Sequence, residues 1–141
     1  MRLTNLALIP VAALLVAACS SGGGASTAAA TRIEVDLSDA LRIEPAQMRV
    51  AVGVPITFVV TNSGATDHEF YLGDEAAQAE HEKEMAAMGG MAHDEPEGIA
   101  LKPGETRELT FSFPEAGDTL AGCHVAGHYS GGMKAAIRVE G

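Results

Sequence analysis

The chain has 141 residues, 19 acidic against 9 basic, and a formal net charge of -10 at pH 7. Such a balance repels polyanions and excludes nucleic acid as a partner. The length suits one modest domain once the N-terminal segments are set aside.

Residues 1–18 begin with a single positive charge at Arg2. A long apolar run follows, broken only by Pro10, and Ala17-Ala18 precede Cys19. This is the pattern of a secretory signal, too short to be read as a spanning helix. The tetrad Val16-Ala17-Ala18-Cys19 resembles a bacterial lipobox and predicts lipidation of Cys19, with a membrane anchor and an extracytoplasmic location. Residues 19–31 are almost entirely Ser, Gly, Ala and Thr, a flexible tether. The domain is expected over 32–141.

Short β-branched or alternating runs predict strands at Arg32 to Leu37, Met48 to Val52, Pro55 to Thr61, Glu69 to Leu72, Arg107 to Phe113 and Lys134 to Val139. Gly53, Asn62-Ser63-Gly64, Pro103-Gly104 and Glu115-Ala116-Gly117-Asp118 read as turns between them. Ile56 to Val60 and Glu108 to Phe113 alternate as a sheet with one covered face requires. The expectation is an all-β, antiparallel Greek-key sandwich. One segment, 74–97, interrupts it. Asp74 to Met88 is rich in Ala, Glu and Gln and stops at Gly89-Gly90, which predicts an inserted helix. Eight acids crowd this insertion, so the acidity of the chain is local.

Beyond the lipidated residue there is one cysteine, Cys123, with no partner for a disulfide in an oxidising compartment. It opens the pattern C-x4-H-x4-M, Cys123, His128 and Met133, in a glycine-rich loop between two strands. Thiolate, imidazole and thioether together suit copper in either oxidation state, and a trigonal site needs one more nitrogen. His68, at the start of a strand, is the strongest candidate; His81, His93 and His124 are the alternatives. His124 directly follows Cys123 and should point away from it on extended chain. Zinc is disfavoured, because methionine suits it poorly.

The Cys123-His128-Met133 loop and the segment Asp67-His68-Glu69-Phe70 resemble a cupredoxin, the blue copper family of plastocyanin, azurin, rusticyanin and auracyanin. The two four-residue gaps are nearest to the rusticyanin and auracyanin loops. The resemblance implies equatorial ligands His68, Cys123 and His128 with axial Met133, and electron exchange near His128. Many members carry Asn where this chain has Glu69, which puts the hydrogen bonding around the sulfur in question. Multicopper oxidases share the Cys-His pair, but Gly122 stands where their preceding histidine would be, and five histidines cannot build a trinuclear cluster. The chain therefore reads as no enzyme.

The site reads as a one-electron carrier cycling Cu(II)/Cu(I) with redox partner proteins; the alternative is a copper-tolerance or trafficking protein with copper-handling partners. The insertion bears on the choice. His81, Met85 and Met88 fall at i, i+4 and i+7, and Met91 and His93 follow the Gly-Gly turn. These five form a candidate second copper site suited to Cu(I). The competing reading packs the methionines against the sandwich as filler.

Overall fold

The computed structural model describes residues 31–141. The leader 1–18, Cys19 and all of the 19–31 tether except Thr31 lie outside the described residues. Nine strands and one helix follow in order: β1 Arg32–Ser38, β2 Arg42–Glu44, β3 Gln47–Ala51, β4 Ile56–Asn62, β5 His68–Gly73, α1 Glu75–Ala87, β6 Gly98–Leu101, β7 Thr106–Phe111, β8 Gly117–Gly122 and β9 Lys134–Glu140.

They form a sandwich of a four-stranded sheet, β2-β1-β4-β7, and a five-stranded sheet, β3-β9-β8-β5-β6. The chain crosses between sheets after β2, β3, β4, β6 and β7, the kind of connection a Greek key uses. The expected all-β sandwich is present, with mixed rather than purely antiparallel pairing: β1 runs parallel to β4, and β3 parallel to β9. Neither parallel pair joins strands consecutive in the chain, so no hairpin imposes opposite directions on them.

The alternation that predicts strands appears directly as burial. In β9, Ala135, Ile137 and Val139 are buried while Lys134, Ala136 and Arg138 face solvent. Val35, Leu37, Phe58 and Val60 from one sheet close on Phe70, Leu72, Ile137 and Val139 from the other. Phe58 packs on Phe70 with ring centroids 5.3 Å apart and on Phe113 edge-on at 6.5 Å. Each large buried side chain of this kind contributes about 1.5–3 kcal/mol through removal of apolar area from water.

Strand β5 departs from alternation. His68 through Leu72 are buried without a break, because α1 covers the outer face of this strand. The helix starts where the sequence predicts: the Asp74 side chain accepts from the Ala77 N–H at 2.8 Å as an N-cap. It ends at Ala87 with Met88 as C-cap, followed by Gly89 and Gly90 at φ +73° and +76°, in the left-handed region that glycine enters freely.

The buried stripe of α1 is Gln78, His81 and Met85. Met88 does not extend that stripe; it stands at the helix end and is 42 % exposed. Gln78 explains why a polar residue faces inward. Its Nε2 donates towards the carbonyls of Tyr71, Gly73 and Leu120 at 3.2–3.3 Å, tying the helix to β5 and β8.

Candidate metal centre

Cys123 directly follows β8 and Met133 directly precedes β9, so the loop between them is held at both ends by neighbouring antiparallel strands. Within it the backbone closes on itself. Cys123 N–H donates to Met133 O at 3.2 Å, Met133 N–H to His128 O at 3.0 Å, and His128 N–H to Val125 O at 2.8 Å. Gly127 and Gly132 take φ +85° and +97°, conformations the tight loop needs and other residues rarely adopt.

His68 comes from the other loop, at the first position of β5. Its imidazole is fully buried, and its Nδ1 lies 3.8 Å from Cys123 Sγ. His128 Nδ1 is 3.4 Å from the same sulfur, and the two imidazole centroids are 5.0 Å apart. One ligand atom from each of His68, Cys123 and His128 lies within 4.8 Å of the others. Met133 is fully buried and belongs to the same core cluster as Cys123.

The surroundings prepare these groups for a metal. Asp39 Oδ1 is 3.0 Å from His68 Nε2 and, as a carboxylate, accepts its proton. The Nδ1 lone pair is thereby left facing Cys123. Asp39 itself is held by the N–H groups of Ala65 and Thr66 and the Thr66 hydroxyl. These bonds, the Ala65 N–H foremost, bring its pKa down to about 2. The β4–β5 loop is fixed further by Asn62, whose side chain donates to Thr66 O and Leu101 O and accepts from Gly64 N–H. A side chain at position 64 would run into Asp39 and His68.

Burial pushes the Cys123 thiol up to about 11, against the partial relief of backbone N–H groups. One of those is the Glu69 N–H, 3.3 Å from the sulfur. His128 is lowered from the ordinary imidazole value, chiefly by burial and then by the neighbouring His68. Two imidazoles, a buried thiol and a thioether form a nitrogen and sulfur donor set of the kind copper takes, with no carboxylate in it.

The other three histidines lie elsewhere. His124 turns away from Cys123, as expected for the next residue on extended chain. Its Nε2 meets Gln78 Oε1 at 2.7 Å, its Nδ1 pairs with Glu82, and its ring stacks on Tyr129 with centroids 4.4 Å apart. A side chain at Gly122 would strike Gln78 and Tyr129. His81 and Met85 are buried under the helix, while Met91 is 72 % exposed. Of the five insertion residues, His81 and His93 come near each other, ring centroids 6.0 Å apart.

Glu69 carries no metal-ligand signature in the sequence, yet its carboxylate is buried, with Oε1 3.0 Å from His81 Nε2 and Oε2 accepting from the His124 N–H at 3.2 Å. Asp39 is likewise invisible to motif reading, because its partner His68 is brought to it only by the pairing of β1 with β4.

Comparison with known proteins agrees with this geometry. Residues 29–140 match the model of the copper binding proteins of the plastocyanin/azurin family. The chain belongs to that family, and its cofactor is copper. It is 34 % identical over 112 residues to the copper-resistant cuproprotein CopI of Rubrivivax gelatinosus, covering 79 % of this chain and 68 % of that one. To the protein of the same name in Pseudomonas aeruginosa it is 33 % identical, covering 79 % of this chain and 77 % of that one. Among solved structures, dithionite-reduced auracyanin from Roseiflexus castenholzii superposes with a TM-score of 0.72 at 26 % identity, covering 80 % of this chain and 99 % of that one.

Proposed function

We propose that the chain holds one copper on His68, Cys123 and His128, with Met133 as the axial ligand, and that it serves copper tolerance outside the cytoplasm. The observation that carries this reading is the convergence of the three ligand atoms, drawn from two separate loops. Bound copper supplies a one-electron Cu(II)/Cu(I) couple. Everything else falls to the chain. Asp39 holds His68 in the tautomer that presents Nδ1. The Glu69 N–H stabilises negative charge on the Cys123 sulfur. The backbone bonds between Cys123, His128 and Met133 keep the loop from rearranging between oxidation states.

The tolerance role is supported by relatives whose names state copper resistance. Electron exchange with a partner protein is the second reading, supported by His128, which is only half-buried and so brings the site to the surface. No enzymatic role is proposed: the histidine beside Cys123 is engaged with Gln78 and Glu82 and is turned away from the ligand sulfur. The anchor belongs to the same proposal. Lipid on Cys19 would place the domain at a membrane surface through the 19–31 tether.

The test is titration of the full chain with Cu(II) while the visible spectrum is recorded, alongside Cys123→Ser. One equivalent should bind with an intense thiolate charge-transfer band that the variant lacks while staying folded. A variant that kept the band would remove Cys123 from the site. Deletion of the gene should lower growth in excess copper if tolerance is the role, and leave it unchanged if the chain only carries electrons. Incorporation of labelled fatty acid that is lost in Cys19→Ala tests the anchor.

A further inference from the structure

A second group of donors lies on the far side of β5, between α1 and the segment that precedes β6. His81 is 1 % exposed and its ring is fixed on both sides. Tyr71 stacks on it face to face, centroids 3.9 Å apart and planes 3° from parallel, and the buried Glu69 Oε1 lies 3.0 Å from Nε2. A carboxylate accepts and cannot donate, so Nε2 carries the proton of this bond, and in the neutral imidazole Nδ1 carries the lone pair. That lone pair has no hydrogen-bond partner, although it is buried.

What Nδ1 faces is two more acceptors. Glu95 Oε2 is 3.6 Å away and Glu84 Oε2 is 3.8 Å away, both too far for a hydrogen bond. One ligand atom from each of His81, Glu84 and Glu95 lies within 4.8 Å of the others. A lone pair and two carboxylates turned on one point repel each other unless a cation lies among them, either a proton taken by Nδ1 or a metal ion. The arrangement of Glu69, His81 and that point is the one in which a carboxylate orients a metal-binding imidazole through its other nitrogen. Glu95 is oriented in turn: its Oε1 lies 2.7 Å from His93 Nε2. Glu84 is 55 % exposed and leaves the site open to solvent.

We infer that His81, Glu84 and Glu95 form a second metal site, for Cu(II), separate from the site built on Cys123 and not dependent on it. One imidazole and two carboxylates are borderline to hard donors. They favour a divalent ion over Cu(I), and among the divalent first-row ions Cu(II) binds such a set most tightly. The site shares His81 with the Met/His grouping read from the sequence but takes oxygen donors in place of the thioethers.

The test uses the full chain with its first site already filled, titrated with copper(II) sulfate and followed by calorimetry and electron paramagnetic resonance. The charge-transfer band reports the first site throughout, so the two sites are read independently. One further equivalent should bind, with the wide copper hyperfine splitting of a site without thiolate. Glu84→Gln/Glu95→Gln, at exposed and half-exposed positions that leave the buried ring in place, should weaken that equivalent by about tenfold or more and leave the band unchanged. Met88→Leu/Met91→Leu should change neither. The inference is overturned if no second equivalent binds, if the double carboxylate variant binds it as before, or if it is lost on replacing Met88 and Met91.

Discussion

The Glu69 N–H donates to Cys123 Sγ at 3.3 Å while the Glu69 side chain leaves the opposite face of β5 to meet His81. A single residue thus spans the thickness of the strand, with its backbone on the sulfur and its carboxylate under the helix. Glu69→Leu keeps the backbone N–H and removes the carboxylate, leaving His81 Nε2 and the His124 N–H buried without an acceptor. The expected cost is about 2–4 kcal/mol in urea denaturation, from two desolvated donors, with the charge-transfer band of the copper form retained. Loss of the band would mean that the side chain, not the backbone, governs the sulfur.

With His68 as a copper ligand, as proposed, Asp39 would act on the metal through that imidazole. Asp39→Ala frees the Nε2 proton of His68 from its acceptor and releases the Ala65 and Thr66 N–H groups that the carboxylate gathers. Copper affinity, measured by competition with a chelator, should fall about 10–100-fold, the usual penalty for losing a carboxylate that orients a metal-bound imidazole. An unchanged affinity would show that burial alone positions His68.

Met133→Leu keeps the volume near Cys123 and removes the thioether. The three remaining proposed donors should still hold copper, and the reduction potential should shift, because a thioether in such a donor set would make a weak contact. Voltammetry of wild type and variant checks this. A variant that cannot hold copper would mean that Met133 is more than an axial ligand.

How far these residues were legible in the chain depends on what carries their contacts. Cys123, His128 and Met133 share one loop, so their spacing alone brings them together, and His68 is betrayed by its place at a strand start. The helix ends were legible too, since Asp74 and Gly89-Gly90 act locally. Strand β8 was not: Gly-Asp-Thr-Leu-Ala-Gly has little β-branched character, and it is a strand because β5 and β9 lie on both sides of it. Strands β2 and β6 are short and likewise stand on their partners. Asp39, Glu69 and Gln78 escaped notice because their partners come from other strands or the helix, and no motif records a contact made only in three dimensions.

Met85 separates packing from metal binding within α1. It is 1 % exposed, whereas Met91 is 72 % exposed. Met85→Ala should destabilise the domain by about 2–4 kcal/mol through lost burial and the cavity left behind, and Met91→Ala should change stability by less than about 0.5 kcal/mol. Urea midpoints decide it, and equal small effects would mean that α1 is not held by Met85.

Acid sensitivity should show at the joint between the insertion and β7. Arg107 grips both carboxylate oxygens of Asp94 at 2.7 Å, and the Ala100 N–H adds a bond at 3.1 Å. The guanidinium and then this N–H bring the Asp94 carboxyl down to about 2. A carboxyl depressed in the folded state stabilises it above the unfolded value of about 3.9 and loses that contribution as the pH falls towards 2. Because the pair is largely exposed, with side chains 37 % and 55 % accessible, water screens it and the contribution is below about 1 kcal/mol. Asp94→Asn should therefore flatten the decline in stability between about pH 5 and 2 while changing stability at neutral pH only slightly. If the slope in acid is identical in wild type and variant, Asp94 is as free to take a proton in the fold as in the unfolded chain, and the grip of Arg107 has no energetic weight.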